Sequence, residues 1–252
     1  MKIDVLTLFP EMFECIKNSI LGRAINENKI NLEVVNIRDF SKDKHKKCDD
    51  KPYGGGPGMV LTPQPLYDAI METKKNFREK DNDLKLTSKD IKKSEIVINM
   101  SPKGETLNQE IAVELAEFNH LIIVCGHYEA IDERVIDLCV DKEISIGDYV
   151  LTGGEIPAMV LIDAVARYIP NVISAKSLSE ESFLNGLLEY PQYTRPQNFK
   201  GLSVPEILIS GNHESIEKWR QEQSLEITKK RRKDLYKNFL KDTARKKGKA
   251  EL

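Results

Sequence analysis

The sequence contains no long hydrophobic run. No stretch of its 252 residues approaches the roughly 18 consecutive apolar residues that a membrane-spanning helix requires. The first residues, MKIDVLTLFPEMF, include Asp4 where a secretory signal peptide would be purely apolar. Charged residues make up 31% of the chain and hydrophobic residues 40%, the proportions of an ordinary soluble protein. We therefore expect a cytoplasmic protein with no membrane partner.

Cysteine and histidine are scarce. Cys15, Cys48, Cys125 and Cys139 show no CxxC spacing, and a chain of this length can bury a large core without disulfide bonds. His45 and Cys48 could be imagined as metal ligands, but no second pair with zinc-like spacing follows them. We expect reduced cysteines and no structural metal. The sequence leaves open whether magnesium takes part in any activity.

The net charge is small but unevenly distributed. The whole chain carries -2, whereas residues 229–252 contain 11 Lys or Arg against 3 Asp or Glu and so carry +8. A basic segment of this density suits contact with a phosphate backbone, although a solvated terminal helix explains it equally well. Nucleic acid is therefore a candidate partner on charge alone.

Hydrophobic periodicity predicts alternating strands and helices over the first two thirds of the chain. Strict alternation of this kind indicates an α/β fold with a mostly parallel sheet and helices on both faces. The predicted strands are residues 3–9, 30–37, 95–101, 120–126 and 142–148, and the predicted helices are residues 10–28, 63–77, 107–118, 131–140 and 155–169.

The composition changes after the last of these helices. A polar, unpatterned stretch suits a linker, and two charged helical stretches follow a segment rich in Pro and Gly. We predict an α/β domain over residues 1–170, a flexible linker over 171–182, and a small, mainly helical C-terminal domain over 183–252. Residues 38–59 are predicted to form a long loop, and the order of residues 76–94 is left open.

Three predicted loops place glycine and polar residues at the carboxyl ends of strands. They are NMSPKGE (99–105), CGHYEA (125–130) and SIGDYVLTGGE (145–155). Ligands bind at this edge of an open parallel sheet. Any one loop could be a tight turn, but three at one edge favour a ligand site. The pair Gly153 and Gly154 either forms a turn or lets a ligand approach bare backbone.

Longer motifs resemble a known family. GHYEAIDERVID, SIGDYVLTGGEIPAMVLIDAVARYIP and GLLEYPQYTRP, with PYGGGPGM upstream and LISGNHESIEKWR downstream, are similar to motifs of the bacterial tRNA (guanine-N(1))-methyltransferase family. The similarity covers essentially the whole chain. It implies a deep trefoil knot in the α/β domain, S-adenosylmethionine as methyl donor, and tRNA as substrate. The methylated atom would be N(1) of the guanosine immediately 3′ of the anticodon, a modification that prevents frameshifting.

The resemblance also assigns residues to the methyl donor. Main-chain N–H and C=O groups in fixed loops can recognise the edge of adenine. Glu129 is placed to meet the ammonium group of the donor, unless it only caps the following helix. The implied donor-binding residues are Met100, Ser101, Pro102, Gly126, Glu129, Ile146, Gly147, Asp148, Tyr149, Val150, Leu151, Gly153 and Gly154.

Methylation of guanine N(1) requires a base and a cation. N(1) carries a proton, so a carboxylate must remove it while a positive charge supports the 6-oxo group. By resemblance the cation is Arg167, whose alternative role is an i,i+4 ion pair with Asp163. The family's usual base is the aspartate of a D-S-F triplet, and the corresponding triplet here begins with Glu181. The adjacent Glu180 would be the base instead if the linker is shifted by one residue.

Two further positions depart from the family pattern. His127 stands where arginine is common and could titrate, and Ala130 stands where glycine is usual and must then fit the backbone angles of glycine. The loop PYGGGPGM (52–59) lacks the Lys-Ser/Thr of a P-loop and does not follow a strand as a dinucleotide fingerprint does. We interpret it as a flexible wall of the guanine pocket.

Assembly and alternative functions complete the sequence-based predictions. The resemblance implies a homodimer whose site combines the knot of one chain with the linker and C-terminal domain of the other. A non-catalytic RNA-binding protein would use the basic segment together with Tyr190, Tyr193 and Arg195, but it would not need the three loops. A ribose methyltransferase of the same fold would leave Glu181 without a role.

Overall fold

The computed structural model describes residues 1–81, 93–174, 181–183 and 185–250. The chain divides into two compact units, Met1–Ile173 and Ser174–Leu252. The strands of the described part are β1 (Lys2–Thr7), β2 (Asn31–Asn36), β3 (Asp49–Asp50), β4 (Val60–Leu61), β5 (Lys93–Thr106), β6 (Phe118–Cys125), β7 (Ala130–Ile131), β8 (Lys142–Ser145), β9 (Asn198–Phe199) and β10 (Leu202–Ser203). The α-helices are α1 (Ser19–Asn26), α2 (Pro63–Asp81), α3 (Gln109–Leu115), α4 (Glu133–Cys139), α5 (Glu155–Ala166), α6 (His213–Arg231) and α7 (Lys233–Ala250).

Five strands form the central sheet of the first unit. Their spatial order is β2, β1, β6, β5, β8, and every neighbouring pair is parallel. Because all five run in one direction, their carboxyl ends share one edge of the sheet. The loops that follow β5, β6 and β8 therefore emerge side by side.

Alternating strand residues supply two hydrophobic cores. On β6, Leu121 and Ile123 belong to one core and Ile122 and Val124 to the other, as the two-residue period of a strand requires. All four are fully buried. Helices α3 and α5 close the first core, and α2 and α4 close the second. The predicted α/β fold with a mostly parallel sheet and helices on both faces is confirmed.

The helix predicted over residues 10–28 is wrong in its first half. Pro10–Lys17 is a 3-10 helix, and α1 starts at Ser19, whose φ of 61° interrupts the helical path. A β-carbon on Gly22 would collide with the carbonyl oxygen of Lys17, so the chain doubles back tightly here. Apolar spacing could not reveal the break because 3-10 and α-helices have similar periods.

The segment predicted as a long loop contains short strands. β3 pairs antiparallel with β4, and β4 pairs parallel with β7. This small sheet attaches the glycine-rich loop to the segment that follows β6. Strands of two residues have no period, so the sequence could not predict them. The next helix is longer than predicted, because α2 continues beyond residue 77 to Asp81; the rest of the segment of undecided order lies largely outside the described residues.

A charged cluster is buried at the amino end of the central strand. His120 Nε2 lies 2.6 Å from Asp4 Oδ2, and Lys2 Nζ lies 3.1 Å from the same oxygen. His120 Nδ1 lies 3.9 Å from Glu95 Oε2, and Glu95 also pairs with Arg78. His120 is 0% exposed and Asp4 1%. The cluster lies at the sheet edge opposite the three loops, which indicates a structural role.

All four cysteines are free. Cys48, Cys125 and Cys139 are buried, and Cys15 is exposed. Burial raises the pKa of each of the three buried thiols. Among the described residues, no three His, Cys, Asp or Glu side chains are grouped closely enough to hold a metal ion. None of the described helices is long and apolar enough to cross a membrane.

The second unit is built mainly from α6 and α7. A short hairpin precedes them, in which Lys200 and Gly201 between β9 and β10 have φ values of 51° and 83°. Two consecutive residues with positive φ are characteristic of a type I′ turn. The Thr228 hydroxyl, on α6, accepts a hydrogen bond of 2.8 Å from the Leu188 amide and so attaches the preceding segment to the helix.

Candidate functional site

The first loop is a protrusion within a strand. Met100 and Glu105 of β5 both pair with Ile144 of β8, so the four residues between them leave the sheet. A β-carbon on Gly104 would collide with the backbone of Glu143, which explains how the strand closes again on its neighbour. The predicted end of this strand at residue 101 is therefore wrong, since β5 resumes and continues to Thr106.

The second and third loops contact each other directly. The Gly154 amide donates a 2.8 Å hydrogen bond to the Gly126 carbonyl, and His127 and Gly153 form an antiparallel bridge. The third loop starts earlier than predicted, because β8 ends at Ser145 and not at residue 148.

The glycine pair allows this contact between loops. Gly154 has φ -82° and ψ -6°, which any residue can adopt. A β-carbon on Gly154 would lie 2.7 Å from Cys125 Cα and 2.8 Å from the Gly126 nitrogen. A β-carbon on Gly153 would lie 2.7 Å from His127 Nδ1 and would also collide with the carboxylate of Glu155. Close packing, rather than a left-handed turn, therefore accounts for the pair.

Two adjoining cavities of about 50 and 160 Å³ open at this edge. Every predicted donor-binding residue except Asp148 lines at least one of them; Asp148 lies in the same loop with its side chain exposed. The residues common to both cavities are Met100, Ser101, Pro102, Leu151 and Gly153. Ile146, Gly147 and Tyr149 line only the smaller cavity, and Gly126, Glu129, Val150 and Gly154 line only the larger.

Glu129 lies against the glycine-rich loop. Its amide donates a 3.0 Å hydrogen bond to the Met59 carbonyl, and a β-carbon on Gly58 would collide with its side chain. The cap of α4 is Asp132, whose Oδ1 accepts a 3.1 Å hydrogen bond from the Arg134 amide. Helix capping by Glu129, the alternative to donor binding, is therefore wrong.

The expectation that Ala130 adopts the backbone angles of glycine is also wrong. Ala130 lies in β7, paired with Val60, and the left-handed residue of this loop is Tyr128, with φ 63°. The ring of His127 lies 4.8 Å from that of Phe9 and 5.0 Å from that of Tyr128. His127 therefore packs among aromatic rings beside the larger cavity.

A match over most of the sequence accompanies this geometry. The family model described as tRNA (Guanine-1)-methyltransferase TrmD matches residues 1–238. The chain belongs to this methyltransferase family. The resemblance inferred from the motifs is thus confirmed.

Curated members of the methyltransferase family are similar along nearly the whole chain. Three of them carry the name tRNA (guanine-N(1)-)-methyltransferase. The protein of Alkaliphilus oremlandii is 56% identical over 242 residues, covering 95% of this chain and 94% of its own. That of Ruminiclostridium cellulolyticum is 55% identical, covering 94% and 96%. That of Clostridioides difficile is 52% identical, covering 94% and 98%.

The two predicted catalytic residues of this methyltransferase lie in different units. Arg167 takes the C-cap position of α5 in the first unit and is half-buried. Glu181 belongs to the second unit, where it lines a cavity of about 330 Å³ together with Tyr190 and Arg220. The alternative base, Glu180, lies outside the described residues.

Sequence reasoning missed Glu155. This carboxylate is only 2% exposed, although it directly follows the glycine pair at the first residue of α5. Its Oε1 accepts a 2.8 Å hydrogen bond from the Thr7 hydroxyl, at the end of β1. An acidic residue in the first turn of a helix usually reads as a surface feature, which hid its burial. The signal available was its position between two glycines and the apolar run that follows.

The glycine pair gives the first testable prediction. We expect Gly153→Val to reduce S-adenosylmethionine affinity by at least about tenfold while the fold survives, because the new side chain meets movable side-chain ends beside both cavities. Gly154→Val is the matched comparison and should also destabilise the fold, since its side chain would meet backbone. Calorimetric titration and thermal melting measure the two effects. Normal donor affinity in Gly153→Val would contradict the prediction.

Proposed function

We propose that the protein transfers a methyl group from S-adenosylmethionine to N(1) of the guanosine immediately 3′ of the tRNA anticodon, which prevents frameshifting. The observation that carries this proposal is the pair of adjoining cavities, lined by the residues that the family resemblance assigns to the donor. The family match over residues 1–238 and the names of the relatives support the same reaction.

The cavity walls suit S-adenosylmethionine, which supplies an electrophilic methyl group on a sulfonium when bound. The loop of residues 146–151 offers main-chain N–H and C=O groups, which can match the edge of adenine. Glu129 offers an exposed carboxylate at the larger cavity, suited to the ammonium group. The glycine-rich loop 52–59, next to Glu129, remains our predicted wall of the guanine pocket.

The base and the cation of the reaction are proposed to be Glu181 and Arg167. Glu181 would accept the N(1) proton, and Arg167 would stabilise the negative charge that develops on the 6-oxo group. These residues belong to separate units, which favours a homodimer with a composite site. Exposed apolar side chains support dimerisation: Met12 on the 3-10 helix, and Ile156 and Val160 on α5, are 41%, 47% and 43% exposed.

The knot and the cellular location complete the proposal. The contact between the second and third loops suits a trefoil knot of the kind implied by the family. A tRNA substrate suits the cytoplasm. A magnesium requirement is a separate question, which assays with and without the ion address.

The basic segment gives the second prediction. Replacing Lys229, Lys230, Arg231 and Arg232 by Ala should weaken tRNA binding and flatten its salt dependence, because each lost duplex phosphate contact lowers the slope by about 0.9. Filter binding over a range of salt concentrations measures that slope, and donor affinity should stay constant. If the slope does not change, the segment is a solvated helix end.

The test of the proposed function is a methylation assay. The protein is mixed with labelled S-adenosylmethionine and unmodified tRNA, and the position of the label is mapped. Label on guanine N(1) next to the anticodon supports the proposal. Label on ribose would instead support a ribose methyltransferase, and tRNA binding without transfer would support a non-catalytic RNA-binding protein.

A further inference from the structure

Glu155 is a buried carboxylate without a cationic partner in the described part of the chain. Its side chain accepts the Thr7 hydroxyl at 2.8 Å and is 2% exposed in total. No Lys, Arg or His among the described residues forms an ion pair with it. Burying a carboxylate in this way costs free energy, which a hydroxyl and the amino end of α5 offset only in part.

The negative charge of Glu155 acts on its surroundings. The pKa of the Cys125 thiol is raised well above its ordinary value, first by burial and then by the charge of Glu155. Cys125 directly precedes Gly126, which lines the larger cavity. The field of the carboxylate therefore extends towards the wall of the donor site.

Glu155 lies behind the point where the two cavities meet. Five residues line both cavities, and Gly153 is one of them. The Glu155 carboxylate lies so close to Gly153 that a β-carbon there would collide with it. Only a residue without a side chain therefore separates the carboxylate from the junction.

The junction is where a sulfonium would lie. In S-adenosylmethionine the sulfur joins the adenosine to the methionine portion. The smaller cavity is lined by the loop assigned to adenosine, and the larger contains Glu129, assigned to the ammonium group. The sulfur is thus expected between them, at the residues that both cavities share.

We propose that Glu155 is a specificity-determining residue that favours the positively charged methyl donor over its neutral product. This inference rests on the proposed function, because it takes the cavities as the donor site. During transfer the bond between sulfur and the methyl carbon breaks, a bond from guanine N(1) to that carbon forms, and the N(1) proton passes to the base. Sulfur keeps the electron pair and becomes a neutral thioether, so the attraction to Glu155 is lost and product release is favoured.

The effect belongs to binding and not to the chemical step. A carboxylate that stabilises the sulfonium of the bound donor does not lower the barrier to transfer. A purely structural role, in which Glu155 only joins α5 to β1 through Thr7, would instead affect all ligands of the site equally. The two roles are therefore separated by comparing charged and neutral ligands.

The experiment is calorimetric titration of wild-type protein, Glu155→Gln and Glu129→Gln. The ligands are S-adenosylmethionine, S-adenosylhomocysteine, and an analogue with an amine-bearing carbon in place of the sulfonium. A working pH of about 8 keeps histidine side chains generally neutral. Glu155→Gln should weaken the two charged ligands roughly tenfold or more and leave the thioether within about twofold, because only a charge interaction is removed. Glu129→Gln, the matched control, should weaken all three alike, since all carry the ammonium group.

Several results would overturn the inference. Equal weakening of all three ligands by Glu155→Gln would make the residue structural, and unchanged affinities would make its charge irrelevant. If Glu155→Gln does not fold, the wild-type protein still decides, because the amine analogue must bind more tightly than the thioether. If no ligand binds the wild-type protein, the proposed function fails, a result distinct from binding that ignores charge.

Discussion

Replacement of Glu181 by Gln should lower the single-turnover rate of methyl transfer by roughly 10²- to 10⁴-fold, the usual contribution of a general base. Glutamine keeps the shape of the side chain but cannot accept the N(1) proton. Donor and tRNA affinity should stay nearly constant, because the interaction lost belongs to the transition state. Single-turnover measurement is required, since product release could otherwise hide a slower chemical step.

Two further variants test the assignment of the base. Glu181→Asp should retain substantial activity, because it restores the family's usual residue with one methylene less of reach. Glu180→Gln, the neighbouring control, should have little effect. If Glu180→Gln abolishes transfer and Glu181→Gln does not, the alignment across the linker is shifted by one residue and Glu180 is the base.

Replacement of His120 by Leu should lower the free energy of unfolding by about 3 kcal/mol or more, the typical cost of removing one partner of a buried ion pair. Asp4 would lose the partner that lies 2.6 Å from its Oδ2 and would keep only Lys2. Urea denaturation followed by circular dichroism measures the loss. The cluster lies away from the cavities, so donor affinity of the folded variant should be unchanged.

A double variant provides the control for this prediction. Asp4→Leu combined with His120→Leu removes both buried charged groups, and apolar replacement of a whole pair is often nearly neutral. The double variant should therefore be more stable than the sum of the two single losses predicts. Simple additivity would show that the two side chains contribute independently, contrary to our reading of the 2.6 Å contact.

The sheet could be predicted because its strands are apolar on both faces. A run such as that of β6 fits no other common element of that length, and the helices between strands gave the order. Features set by backbone detail could not be predicted. The break before Ser19 and the return of β5 to the sheet after Gly104 depend on close contacts between residues rather than on periodicity.

The candidate site was predictable to the extent that it depends on loops. Parallel strands bring their carboxyl ends to one edge, and the three loops accordingly line adjoining cavities. Glu155 was missed because burial of a carboxylate depends on tertiary packing, here the approach of Thr7 and Gly153. The roles of Glu181 and Arg167 depend on how separate units combine, which no local sequence pattern specifies.

The exposure of Cys15 offers a direct way to follow assembly. Its Sγ lies 3.5 Å from Met159 Sδ, between the 3-10 helix and α5, next to the apolar side chains proposed to form the dimer contact. The other three thiols are buried with raised pKa values, which suppresses the reactive thiolate. The rate of thiol labelling in the folded protein therefore reports on one position. Labelling that slows with increasing protein concentration would register a second copy covering this surface, without any tag or substitution.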